Sequence, residues 1–181
     1  MAILDPQEYC NTCWDKTKQY VEGVRNGDIV VGRYIKLFIE RYSKMLKDKD
    51  KYEFKTDKVD KVYKFFSFLN VEHKNSYVQF PLLPWQCLFL SYIFGFYFKN
   101  EERRVVREAF LFIGRKNGKT AFAAAIQLYG MLGDGVAVPQ SLLLANTSAQ
   151  ASISLNFARD IVNHSKALSK RLRSHRSRVM F

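Results

Sequence analysis

Ala109-Phe-Leu-Phe-Ile113-Gly114-Arg-Lys-Asn-Gly-Lys-Thr120-Ala121-Phe-Ala-Ala-Ala-Ile126 carries the chain from an apolar run, through a basic turn bounded by glycines, into an alanine-rich segment. The first five residues are too few for an independent helix and fit a buried strand. Alanine is the strongest helix former, so Ala121 onward reads as a helix ending near Gly130 or Gly133. Further on, Ser141-Leu-Leu-Leu-Ala145 repeats the strand signal, and Thr147 with Gln150 forms a capping box that opens a helix through about Val162. Two strand–helix units in succession predict a mostly parallel sheet.

The turn itself has chemical content. A nucleoside triphosphate needs several N–H donors converging on its phosphates, a helix N-terminus, and a cation near the β and γ groups. Gly118-Lys119-Thr120 supplies these: Lys119 as the cation, the Thr120 hydroxyl as a ligand of Mg²⁺. The usual G-x-x-x-x-G-K-[ST] pattern puts its first glycine at position 113, where Ile113 stands, and Gly114 comes one residue later. Arg115 and Lys116 add two cations inside the loop. They read either as charges that stabilise a developing γ-phosphoryl charge or as solvated loop charges.

Upstream, Val31, Ile35, Phe38, Tyr42 and Met45 recur at helical spacing with charged residues between them, and Val59, Val62, Tyr63, Phe66 and Leu69 resume a helical face beyond Lys47-Asp-Lys-Asp-Lys51. Asn70 to Ser76 reads as a polar turn, and Pro81 and Pro84 bracket an extended segment. Trp85 to Phe98 is apolar almost all round, as in a helix buried on several sides. The organisational boundary falls near residue 80, giving a helical part at 1–80 and an α/β part at 81–181.

The chain has 181 residues, 48% of them apolar, and a formal charge of +12. That composition excludes a wholly disordered chain. Its longest apolar run, Cys87 to Phe98, falls short of the roughly 20 residues that cross a bilayer, and no basic-then-apolar leader opens the sequence. Cys10 and Cys13 form a CxxC with no second pair, and neither His73 nor His164 has a ligand-like spacing to it. Plain thiols in a reducing compartment are therefore expected. From Ala151 to Phe181 there are seven cations (Arg159, Lys166, Lys170, Arg171, Arg173, Arg176, Arg178) and one acid, Asp160, so half of the net charge lies in the last 31 residues. A polyanionic partner is the natural complement.

Four stretches in order resemble the large terminase subunit of tailed bacteriophages, the ATPase that drives DNA packaging. They are Tyr34 to Met45 after Gly27-Asp28-Ile29, with Arg41; Phe80-Pro-Leu-Leu-Pro-Trp85-Gln86; Gly114 to Thr120; and Leu144-Ala-Asn-Thr-Ser-Ala-Gln150-Ala151. The resemblance implies an ASCE-type P-loop NTPase with an incomplete parallel sheet, preceded by an α-helical segment. It implies that ATP is held by Gly114, Arg115, Lys116, Asn117, Gly118, Lys119 and Thr120. Gln86 would hydrogen-bond adenine with Trp85 packed beside it, Arg115 would be the γ-phosphate sensor or finger, and Thr120 the Mg²⁺ ligand. The implied partners are double-stranded DNA, a portal protein and a small terminase subunit, in the cytoplasm of a bacterial host, with no membrane.

In that fold a later strand ends in Asp-Glu, and no apolar run followed by paired acids occurs after Thr120. Arg159-Asp160-Ile161 lies on the predicted helix, and no distal acid cluster suits a two-metal nuclease. The chain therefore reads as the front portion of such a subunit, with nucleotide binding and little or no hydrolysis. A reading from another class is a basic nucleic-acid-binding module in which Lys166 to Arg178 contact phosphates and the loop is incidental. A different P-loop family, such as a helicase, is a third.

Overall fold

The computed structural model describes residues 3–175 and 178–180; Met1, Ala2, Phe181 and the tail cation Arg176 lie outside the described residues. The chain forms two compact units. One unit comprises Gln7–Tyr63 and Leu82–Phe110; the other comprises Met1–Pro6, Lys64–Pro81 and Leu111–Phe181.

In the first unit, α1 (Pro6–Asn26) buries Tyr9, Cys10, Cys13, Thr17, Val21 and Val24 along one face. The helix α2 (Arg33–Lys47) buries Ile39, Tyr42 and Met45, the periodicity expected of an amphipathic helix. A short strand β1 (Tyr52–Phe54) follows, then α3 (Thr56–Ser67), whose residues up to Tyr63 belong here. The apolar segment that reads as one helix in fact divides: α4 (Pro84–Gly95) ends at Gly95, and β4 (Phe96–Phe98) pairs antiparallel with β1, Phe54 opposite Phe96. Gly95 is the pivot because a Cβ there would lie 2.4 Å from the Phe54 ring. Val21, Val24, Ile39, Tyr42, Met45, Leu88, Tyr92 and Phe96 form one buried apolar cluster of this unit. Edge-on aromatic pairs such as Phe54–Phe96, with centroids 4.8 Å apart, fix its geometry.

Polar groups inside this unit are paired. The Trp14 indole N–H donates to Asp60 Oδ1 at 2.6 Å, and the buried Tyr63 hydroxyl donates to the Cys87 carbonyl at 2.8 Å. The three cysteines are buried thiols that form no disulfide. A hydrogen bond with Cys87, together with burial, holds the Cys13 thiol far above the usual range, so it stays protonated. Among the described residues, no group of His, Cys, Asp and Glu side chains could hold a metal ion.

In the second unit, the expected polar turn is a hairpin. Strands β2 (Asn70–His73) and β3 (Ser76–Gln79) pair around Lys74 and Asn75, both at positive φ, as a two-residue hairpin loop requires. The helix α5 (Lys119–Leu132) buries Phe122, Ala124, Ala125, Leu128 and Tyr129. Phe65 and Phe66 from the end of α3 meet Tyr129 and Phe122. The helix α6 (Ser148–His164) packs on α5 and on the hairpin. There His164 stacks on Tyr77 with centroids 3.6 Å apart, and the Tyr77 hydroxyl donates to Asp160 at 2.8 Å. Among the described residues of the C-terminal segment, α7 (Lys166–Ser169) buries Leu168, Leu172 is also buried, and β5 (Arg173–Ser174) pairs with β6 (Val179–Met180).

The anticipated parallel sheet is not seen. The described residues hold three two-stranded antiparallel sheets, and neither 109–113 nor 141–145 joins a ladder. Both runs expose the side chains expected to be buried: Phe110 by 89%, Phe112 by 87%, Leu142 by 79% and Leu144 by 90%. The reason lies in the hydrogen bonds. A strand satisfies its N–H and C=O groups only through neighbours on either side, and no described strand lies alongside these two.

Candidate nucleotide-binding loop

Residues 114–119 are all exposed and lie between the extended run 109–113 and α5. The turn depends on two left-handed residues, Lys116 at φ 65° and Gly118 at φ 68°. Glycine adopts that conformation without cost, whereas lysine does so at about 1 kcal/mol. Asn117 ties the turn to itself, its amide lying 3.4 Å from the Gly114 carbonyl and 3.3 Å from that of Arg115.

Gly118 is the residue before α5, and no side chain caps that helix. The first intrahelical bond runs from Phe122 N–H to the Gly118 carbonyl, so the N–H groups of residues 119–121 have no acceptor within the helix. An uncapped helix start presents donors and positive potential together, the combination that receives anions. By contrast, Thr147 Oγ1 accepts from Gln150 N–H at 3.2 Å at the start of α6, realising one half of the expected capping box.

Lys119, in the first turn of α5, folds its ammonium back to donate to the Ile113 carbonyl at 3.2 Å. Ile113 is the position where the usual pattern has its first glycine, so the departure from that pattern still closes the loop on its lysine. The Thr120 hydroxyl follows at the helix start, half-buried. Arg115 and Lys116 project into solvent without an ion-pair partner among the described residues. The structure thus brings Gly114 to Thr120 together in one turn.

Trp85 and Gln86 open α4 in the other unit. Pro84 provides the preset φ of a first helical residue, and the Gln86 side chain reaches back so that Oε1 accepts from Leu83 N–H at 2.8 Å. Gln86 is only 3% exposed and Trp85 half-buried. One oxygen lone pair of this amide is therefore committed to the helix cap, a role the motif alone does not disclose.

Extended run, glycine-bounded turn and helix in that order make this a P-loop-like protein. Residues 84–180 match the family described as terminase large subunit, ATPase domain. That match covers more than half of the chain, and the chain belongs to this family: it is an ATP-binding part of a DNA-packaging terminase. No curated protein and no solved structure matches the chain. Among the described residues, no helix is long and apolar enough to cross a membrane.

Proposed function

We propose that Gly114 to Thr120 is the site at which this terminase segment holds Mg·ATP. The observation that carries the proposal is the uncapped start of α5, opened by Gly118 in the left-handed conformation and bearing Lys119 and Thr120 in its first turn. The N–H groups of the turn and of residues 119–121 would cradle phosphate oxygens, and Lys119 would set its ammonium against the outer phosphates. Thr120 offers the hydroxyl for Mg²⁺, which when bound offsets charge between the β- and γ-phosphates. Arg115 is the candidate finger for the γ-phosphate, with Lys116 and Asn117 shaping the turn. Gln86, whose oxygen accepts from Leu83 N–H at the start of α4, is the candidate adenine contact, with Trp85 as its neighbour, both on the strength of the family resemblance.

The reading includes a division near residue 80 between a helical part and an ATPase part. It also includes double-stranded DNA, a portal protein and a small terminase subunit as partners in the cytoplasm of a phage's bacterial host. The only acids after Thr120 are Asp134 and Asp160. Asp160 is held by Tyr77 and His164 on α6, and Asp134 directly follows the Gly133 cap of α5. Neither stands at the end of an apolar strand, so the chain is expected to bind nucleotide with little or no hydrolysis.

Equilibrium titration with a fluorescent ATP analogue tests the site. Lys119→Ala should weaken binding at least tenfold, and Thr120→Val should remove most of its dependence on Mg²⁺. Unchanged affinity in Lys119→Ala would place the nucleotide elsewhere.

A further inference from the structure

The helix α2 has two faces. Ile39, Tyr42 and Met45 point into the core of their unit. At 100° per residue, Arg33, Lys36, Arg41, Lys44 and Lys47 fall within an arc of about 140° on the opposite side, with Glu40 the single acid among them. All six are exposed. None of the five cations forms an ion pair among the described residues, although Glu40 stands at helical i,i+4 spacing from both Lys36 and Lys44. Arg25, at the end of α1, donates its guanidinium to Ser43 on the flank of the same face and adds a sixth positive charge.

A helix normally interleaves its exposed charges, since like charges at i,i+3 and i,i+4 repel. Lys44 and Lys47 stand three apart with no acid between them and the solvent, and Arg33 and Lys36 likewise. Such a face is held at a cost that an anionic partner would relieve. From Arg33 to Lys47 the helix advances about 21 Å, roughly the rise of six base pairs of duplex, along which phosphates recur every few ångströms.

We propose that this face of α2 is a docking surface for the phosphate backbone of duplex DNA, contacted without regard to base sequence. The proposal rests on the terminase reading for its choice of DNA. Three of the five α2 cations are lysines, whose ammonium acts as a point charge suited to successive phosphates, not to bidentate reading of bases. A membrane surface fits poorly, because a helix that inserts into lipid needs its apolar face free, and here that face is packed into protein. An acidic protein is the remaining occupant, and the experiment separates it.

Binding of the full chain to a labelled 20-base-pair duplex of mixed sequence is measured by anisotropy between 50 and 200 mM salt. Each phosphate contact contributes about 0.9 to the slope of log K against log salt, so Lys36→Gln/Lys44→Gln/Lys47→Gln should flatten the slope by about 2.7. The matching Lys→Arg triple variant should keep it, and a second duplex of different sequence should bind equally. The same samples are titrated with the fluorescent ATP analogue. If ATP does not bind, the nucleotide reading fails on its own. If the slope of the glutamine variant equals that of the wild type while its helical circular dichroism is retained, the α2 proposal fails on its own. Displacement of the duplex by polyglutamate as readily as by an unlabelled duplex of equal charge would also overturn it, in favour of an acidic protein partner.

Discussion

Phe96 and Phe112 sit in apolar runs of similar composition, and the two units treat them in opposite ways. Phe96 is fully buried among Tyr42, Phe54 and Tyr92. Phe112 is 87% exposed. What differs is how each run satisfies its backbone. Most of the Cys87–Phe98 run is helix, whose hydrogen bonds close within the segment, and its last three residues find β1 in the same unit. The runs at 109–113 and 141–145 depend entirely on strands beside them, so their apolar character does not bury them. Hydrophobicity supplies a driving force, but burial also requires partners for the N–H and C=O groups that go with it.

The sharpest test of this contrast is a pair of truncations. Phe96→Ala should cost about 3–5 kcal/mol in urea unfolding monitored by circular dichroism, as large-to-small changes in cores do. Phe112→Ala should stay within about 0.5 kcal/mol, as for an exposed side chain. Comparable losses at both positions would show that 109–113 is buried in solution.

Overpacking should have the next largest effect. In Gly95→Ala the new Cβ meets the Phe54 ring, itself wedged against Phe96, Tyr42 and Trp14. A loss of about 1–3 kcal/mol is expected despite alanine's better helix propensity. A stabilised variant would mean that the aromatic cluster yields.

In the second unit a local device should matter more than bulk. Thr147→Ala removes the cap of α6 and should cost about 1 kcal/mol, with Thr147→Ser nearly neutral. If alanine is as stable as threonine, packing on α5 and the hairpin holds α6 without its cap.

The smallest effect is electrostatic. The hydrogen bond from the Tyr77 hydroxyl to Asp160 pushes the Tyr77 pKa up to about 12. A raised value favours the neutral phenol in the fold. The contribution to stability is therefore full below pH about 10 and is lost as pH rises through about 12. Asp160→Asn should move the Tyr77 midpoint, read from its ring carbon shifts by NMR, back toward 10. An unmoved midpoint would break the link between β3 and α6.

Much of the local structure is legible in the residues. The recurrence of apolar positions gives α2, α3 and α5, and Thr147 marks where α6 begins. The long α1 is harder to see, because only Val21 and Val24 among its buried residues are aliphatic, while Tyr9, Cys10, Cys13 and Thr17 disguise the period. The hairpin at 70–79 is masked for a related reason: a Lys-Asn pair makes its turn in place of the glycine-containing pair that would announce it. The candidate phosphate loop is legible because its chemistry is local, seven consecutive residues carrying the donors, the cation and the hydroxyl.

The sequence by itself determined α2, α3, α5 and the start of α6, marked out the candidate loop and pointed to the family, since each depends on residues a few positions apart. Three matters waited on tertiary structure: that Gln86 lends its oxygen to the start of α4, that the apolar segment at 84–98 breaks at Gly95 to make room for Phe54, and that the runs 109–113 and 141–145 join no sheet among the described residues. Each turns on which backbone or ring comes to lie beside the residue in space, a relation between distant parts of the chain that periodicity does not encode.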